Sequence, residues 1–172
     1  FYYAQIAPFN YAEKSERSNE LRDAQRKTLK KVPNSGMAIL LDIGEKDDIH
    51  PANKQDIGKR LALHALKNDY NFTSIVPSGP LYKGHEIKNN SIYLLFDYAE
   101  NGLVQKGGLK GFEIADENSN FLPAQARIEN NYIVVSHVDI RNPKYVRYGW
   151  KNYFNATLFN REGLPASSFI TD

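Results

Sequence analysis

The fold class this sequence predicts is α/β over residues 1–70, followed by an all-β, sandwich-like segment over residues 71–172. Three observations predict it. The first 70 residues alternate short apolar runs with stretches of helical periodicity. Composition then changes at "NFTSIVPSGPLY", residues 71 to 82. Beyond that point the helical period is lost, and short alternating segments separated by Gly, Asn and Asp take over.

Each element has its own signal. Residues 2 to 7, "YYAQIA", are aromatic and β-branched and end at Pro8, which predicts a short buried strand. Leu21, Ala24, Thr28, Leu29 and Val32 then fall near one face of a helix that "VPNSG" should stop. "GMAILLDIG", residues 36 to 44, is almost continuously apolar and suits a strand covered on both faces. A polar turn and Pro51 precede a second helix with Ile57, Leu61 and Ala65 or His64 on one side. In the second half, residues 91 to 98, 110 to 116, 126 to 140 and 155 to 160 predict strands, with "ENN" at 129 to 131 as a hairpin turn.

Composition narrows the function classes. At 172 residues and 41% hydrophobic content the chain has enough apolar material for a core. Lys and Arg total 22 against 20 Asp and Glu, so the large basic field expected of a nucleic-acid partner is missing. There is no cysteine, which excludes disulfides and thiolate catalysis. No apolar run reaches membrane-spanning length, and the chain shows no signal-peptide pattern.

The chemistry concentrates in "EKDDIHPANKQDIGKRLALHAL", residues 45 to 66. His50 follows the second apolar run and precedes a helix, where reactive groups gather in an open α/β sheet. A histidine acting as general base needs one ring nitrogen facing the nucleophile and the other held by a carboxylate. Asp47 sits three residues before His50, and Asp48 competes for the same role. The plain structural alternative is a surface histidine whose acidic neighbours suit a helix N-terminus.

The longer blocks "DIHPANKQDIGKRLALHAL", "FYYAQIAPF", "LRDAQRKTLKKVPNSGMAILLDIG" and "YGWKNYFNATLFNREGLPASSFITD" resemble the sialate O-acetylesterase family, a branch of the SGNH (GDSL-like) hydrolases. They cover most of the chain in the family's order. The resemblance implies that residues 1–70 are the C-terminal part of an SGNH-type three-layer α/β/α domain. It also implies that His50 is the catalytic histidine and Asp47 the aspartate of an Asp-x-x-His pair. The implied reaction is acyl transfer from an O-acetylated carbohydrate through a serine nucleophile, with no metal or organic cofactor.

The family's nucleophile lies in a Gly-Gln-Ser-Asn type block, and no such block occurs in this sequence. Serines stand in "EKSERSN", "PNSGM", "PSGPL" and "PASSF", none of them a nucleophile turn. The expected partner is therefore an N-terminal part of the same enzyme, and this chain alone is expected to be inactive. By resemblance a periplasmic, secreted or lysosomal setting is favoured. The tail departs from the family pattern at Ser168, where proline is usual, and at Ile170, where arginine is usual. If that arginine anchors the tail by an ion pair, this chain holds its end differently.

Other residues have simpler explanations. His64 is expected to pack on its helix face, His137 to occupy a strand, His85 to lie in a loop, and "KGGLKG" at 106 to 111 to be a turn. Tyr145, Tyr148, Trp150, Tyr153 and Phe154 suit either a sheet core or a sugar-stacking surface. Two rival functions follow: a non-catalytic carbohydrate-binding or interaction module, and an SGNH esterase acting on acetylated plant polysaccharide.

Overall fold

The computed structural model describes residues 1–11 and 17–172. The first elements are β1 (Tyr2–Ala4), α1 (Ser18–Thr28), β2 (Gly36–Ala38) and α2 (Lys54–Asn68). β1 and β2 pair in parallel, with Tyr2 opposite Gly36 and Ala4 opposite Ala38, as a βαβ order requires. β2 is shorter than its apolar run. A ladder lasts only as long as its partner, and β1 offers three residues plus the Gln5 N–H, donated to the Ala38 carbonyl at 2.9 Å. Ile39, Leu40 and Leu41 stay buried while the backbone leaves the ladder for a turn.

α1 reverses the expectation from its apolar stripe. Leu21 is 48% exposed and Val32 beyond the helix 41%, and Ala24 and Thr28 are exposed too, whereas Ser18, Arg22, Asp23 and Arg26 are buried. The reason is what lies beneath the helix: loop carbonyls from the second half of the chain, which only donors can satisfy. Of the stripe, Leu29 alone packs against the core. α2 lies on β1 and β2, burying Arg60 and His64, while Ile57 and Leu61 are half-buried.

The rest of the chain forms β3 (Leu81–Lys88), β4 (Ser91–Asp97), β5 (Leu103–Gln105), β6 (Phe112–Ala115), β7 (Leu122–Pro123), β8 (Gln125–Glu129), β9 (Tyr132–Ser136), β10 (Tyr145–Tyr148), β11 (Leu158–Asn160) and β12 (Phe169–Ile170). Two antiparallel sheets result, ordered β3-β4-β9-β8 and β12-β10-β6-β7, beside the pair β11-β5. The β8–β9 hairpin turns at Asn130 and Asn131, both with positive φ, as a two-residue type I′ connection demands. β3 is a strand where a loop was expected around His85. Gly84 and a register shift between Tyr82 and Gly84 break the alternation that would have announced it.

Both sheets and the α/β part feed one core. Ile92, Leu94, Ile133 and Val135 come from one sheet and Phe112, Ile114, Val146 and Tyr148 from the other, and Met37, Ile39 and Leu41 join them. Phe169 stacks on Tyr82 at 4.9 Å and meets the edge of Phe96 at 5.7 Å, linking the sheets. The buried set therefore runs without a break across residue 70. The tail is held by the β10–β12 ladder and by Thr171, whose N–H donates to the Val146 carbonyl at 2.9 Å and whose hydroxyl accepts the Val146 N–H at 3.0 Å. Ser168 is wholly buried, accepting from Arg22 Nε and donating to the Gly149 carbonyl, both at 3.1 Å.

Candidate active site

Three segments meet beyond the carboxyl ends of β1 and β2: residues 5–11, residues 41–53, and the β10–β11 loop over 149–157. The contacts are backbone ones. The Asn10 N–H donates to the Lys46 carbonyl at 3.1 Å, the Phe9 N–H to the Asn152 carbonyl at 3.3 Å, and the Ala156 N–H to the Leu41 carbonyl at 3.1 Å. Gly44 fits because it has no side chain: a Cβ there would lie 2.2 Å from the Pro8 carbonyl oxygen.

The His50 turn is fixed at both ends. Upstream, Asp42 receives a two-pronged ion pair from Arg60, with both N–O distances 2.7 Å, and Arg60 also donates to the Ile39 carbonyl at 2.6 Å. Downstream, the Asn53 side chain accepts the Asp56 N–H at 3.1 Å, capping α2. Across the turn, Glu45 Oε1 accepts the Ala52 N–H at 2.7 Å, closing a ring of residues around His50. Sequence reading missed this role of Glu45; only the acidity of the turn hinted at it.

Within that ring the His50 imidazole is 86% exposed. Asp48 Oδ1 accepts the His50 backbone N–H at 2.7 Å and lies 4.0 Å from Nδ1, beyond hydrogen-bond length. Asp48 therefore shapes the turn. Asp47 is exposed on the same turn, three residues before His50. Both imidazole nitrogens remain accessible, so the ring can exchange protons with a group brought against it from outside.

The other histidines are structural. His64, on the buried side of α2, donates from Nε2 to the Met37 carbonyl at 3.1 Å and stacks on Tyr2. His85 Nδ1 pairs with the Tyr82 hydroxyl at 2.7 Å. His137 lies just past β9, where its Nδ1 accepts the Asp139 N–H at 3.1 Å. Burial pulls the His64 pKa below its ordinary 6.5, with the Met37 hydrogen bond opposing the shift. Between the two values the unfolded chain binds more protons, so this contribution to stability is complete above about pH 6.5 and declines as pH falls. Urea midpoints should therefore drop between about pH 7.5 and 5.5, and drop less in His64→Gln.

Ser15 of "EKSERSN" lies outside the described residues. Ser18 bonds to Asn152, Ser35 donates to the Val32 carbonyl at 2.7 Å, Ser167 accepts from Gln5 at 2.8 Å and Ser168 is held by Arg22. Ser78 is buried and lines a groove of about 1000 Å³ with Tyr2 and Gly36, at the amino ends of β1 and β2 and so opposite the His50 turn. The "KGGLKG" segment is a bend between β5 and β6 with positive φ at Gly107, Gly108 and Gly111, as a turn requires.

No family model matches the chain. It is 30% identical to the sialate O-acetylesterase of Homo sapiens over 154 residues, which cover 81% of this chain and 29% of that protein. The sialate O-acetylesterase of Mus musculus is 29% identical over 154 residues, with 81% and 28% covered. A solved carbohydrate acetylesterase from Xanthomonas citri superposes with a TM-score of 0.91 and 37% identity, over 100% of this chain and 41% of that one. The chain thus spans about three tenths of the length of the curated relatives it matches. On this similarity in sequence and structure, the chain is homologous to part of the sialate O-acetylesterases.

Proposed function

We propose that this chain is the base-bearing part of a carbohydrate O-acetylesterase of SGNH type, in which His50 activates a serine supplied by sequence outside these 172 residues. The observation that carries the reading is the His50 turn: an open imidazole at the carboxyl end of a parallel strand pair, on a loop braced by Glu45, Asp42 and Arg60. Exposed apolar side chains on the same part of the chain, Leu21, Val32 and Ile49, support a covering by further protein.

The steps balance as ordinary acyl transfer. His50 takes the serine proton, the alkoxide adds to the acetyl carbonyl, and the imidazolium returns the proton to the departing sugar hydroxyl. A water, deprotonated by the same nitrogen, then adds to the acetyl-serine carbonyl; the serine O–C bond breaks, the imidazolium returns the proton to the serine oxygen, and acetate leaves. Asp47 takes the orienting role at the second ring nitrogen once the turn is covered, while Asp48 remains committed to the backbone.

This division of labour is testable in the full-length enzyme. Asp47→Asn should lower kcat by about tenfold to a hundredfold with KM little changed. Asp48→Asn keeps an acceptor for the His50 N–H and should cost less than about threefold. The reverse order would assign the orienting role to Asp48. The 172-residue chain alone should not hydrolyse 4-nitrophenyl acetate above buffer, and hydrolysis that vanishes in His50→Ala would overturn the proposal of an outside serine.

A further inference from the structure

The β10–β11 loop comes from the antiparallel half of the molecule, yet it sits on the His50 side of the parallel strands. Its attachment is extensive. Arg22 donates to the carbonyls of Gly149, Lys151 and Asn152, and Ser18 donates its N–H to Asn152 Oδ1 at 3.0 Å. The Asn152 carbonyl accepts the Phe9 N–H, and the next residue, Asn10, bonds to Lys46 four positions before His50. A continuous hydrogen-bonded path thus joins this loop to the His50 turn.

The aromatic residues of this region divide into two sets. Tyr148 is fully buried against Phe112 and Phe169, and Phe154 meets the Tyr148 ring at 5.4 Å and packs on the core. Trp150 and Tyr153 are half-buried and belong neither to the core nor to the residues packed against it. An aromatic ring is costly to leave in water, and a loop pinned this firmly gives such a ring a fixed place at low entropic cost. A pyranose suits such rings, since its axial C–H face is apolar.

We infer that the β10–β11 loop forms the sugar-binding wall of the esterase site, with Trp150 and Tyr153 as the rings against which the carbohydrate of the ester stacks. The inference rests on the proposed function, because it takes the His50 turn as the reacting centre. The acetyl group lies toward His50 and the sugar toward the loop.

The test uses the full-length enzyme and two kinds of ester. One is an O-acetylated sugar, as O-acetylated sialic acid or acetylated xylo-oligosaccharide, whichever it turns over faster; the other is 4-nitrophenyl acetate, which has no sugar to stack. Trp150→Ala should lower kcat/KM on the sugar ester about tenfold, mainly through KM, and leave the aryl ester within about twofold. Trp150→Phe should recover most of the loss, and Tyr153→Ala should repeat the pattern more weakly. Retained aryl acetate turnover reports that the variant is folded. Equal losses on both esters, or no loss on the sugar ester, would overturn the assignment. His50→Ala run in parallel separates the two claims: if it abolishes both activities while Trp150→Ala changes neither, the loop assignment fails and the proposed function stands; if it leaves both intact, the proposed function fails.

Discussion

In the full-length enzyme, His50→Ala is expected to lower kcat on an O-acetylated sugar by about 10³-fold or more while KM stays within about threefold. The size follows from the proposed role: without a base, the serine hydroxyl would have to lose its proton to water, and the departing sugar oxygen would have no positioned acid to protonate it. A change confined to kcat is the mark of an interaction made in the transition state. The residue's setting makes this variant informative. The imidazole is 86% exposed and its turn is held by Glu45, Asp42 and Asn53 rather than by the ring, so its removal should leave thermal unfolding of the protein nearly unchanged. A fall in activity with intact unfolding then reports chemistry. Unchanged turnover in His50→Ala would remove the base from this chain altogether.

The placement of that turn was legible in the sequence because its signals are local. An apolar run, a polar break, Pro51 and a second apolar period announce a strand, a turn and a helix, whatever the rest of the chain does. The Asn130–Asn131 hairpin was legible for the same reason. What failed depended on partners far along the chain. The stripe of Leu21, Ala24 and Thr28 correctly announced a helix, but periodicity says only that a helix has two faces, not what covers each. Here the polar face is inward because carbonyls of residues 149, 151 and 152 need donors. β3 was hidden by Gly84 and its register shift, and the length of β2 was set by β1 rather than by its own composition. Within the candidate site, His50 and the acidic turn could be read, whereas the bracing by Glu45 and the approach of the β10–β11 loop could not. The aromatic set around Trp150 was left open between core and sugar surface. Packing now separates it: Tyr148 and Phe154 join the core, whereas Trp150 and Tyr153 stand outside it.

Arg22 is where that hidden, long-range logic should show most strongly in stability. Its side chain is 0% exposed, and the polar groups it meets are neutral: the hydroxyls of Ser168 and Ser18 and the carbonyls of Gly149, Lys151 and Asn152. Burial draws its pKa down to about 10, far enough above neutrality that it keeps its charge. A buried cation is tolerable here because its donors meet acceptors spread over two loops, although the Gly149 carbonyl also accepts from Ser168 and the Asn152 carbonyl from Phe9. Arg22→Met keeps much of the volume and removes the donors, taking the guanidinium from the Lys151 carbonyl and from Ser168 and Ser18, and leaving the Gly149 and Asn152 carbonyls with one donor fewer inside the protein. The expected cost is about 3–5 kcal/mol, or a fall in Tm of roughly 6–20 °C for a chain of this size. Arg22→Lys should not rescue it, since a single ammonium cannot reach Ser168 and the carbonyls at once. Chemical denaturation of the protein and the two variants measures this directly. A loss below about 1 kcal/mol in Arg22→Met would mean that water replaces the guanidinium without difficulty. The same substitution should also loosen the 149–152 loop against α1, raising hydrogen exchange at Phe9 and Ser18, whose N–H groups bond to Asn152.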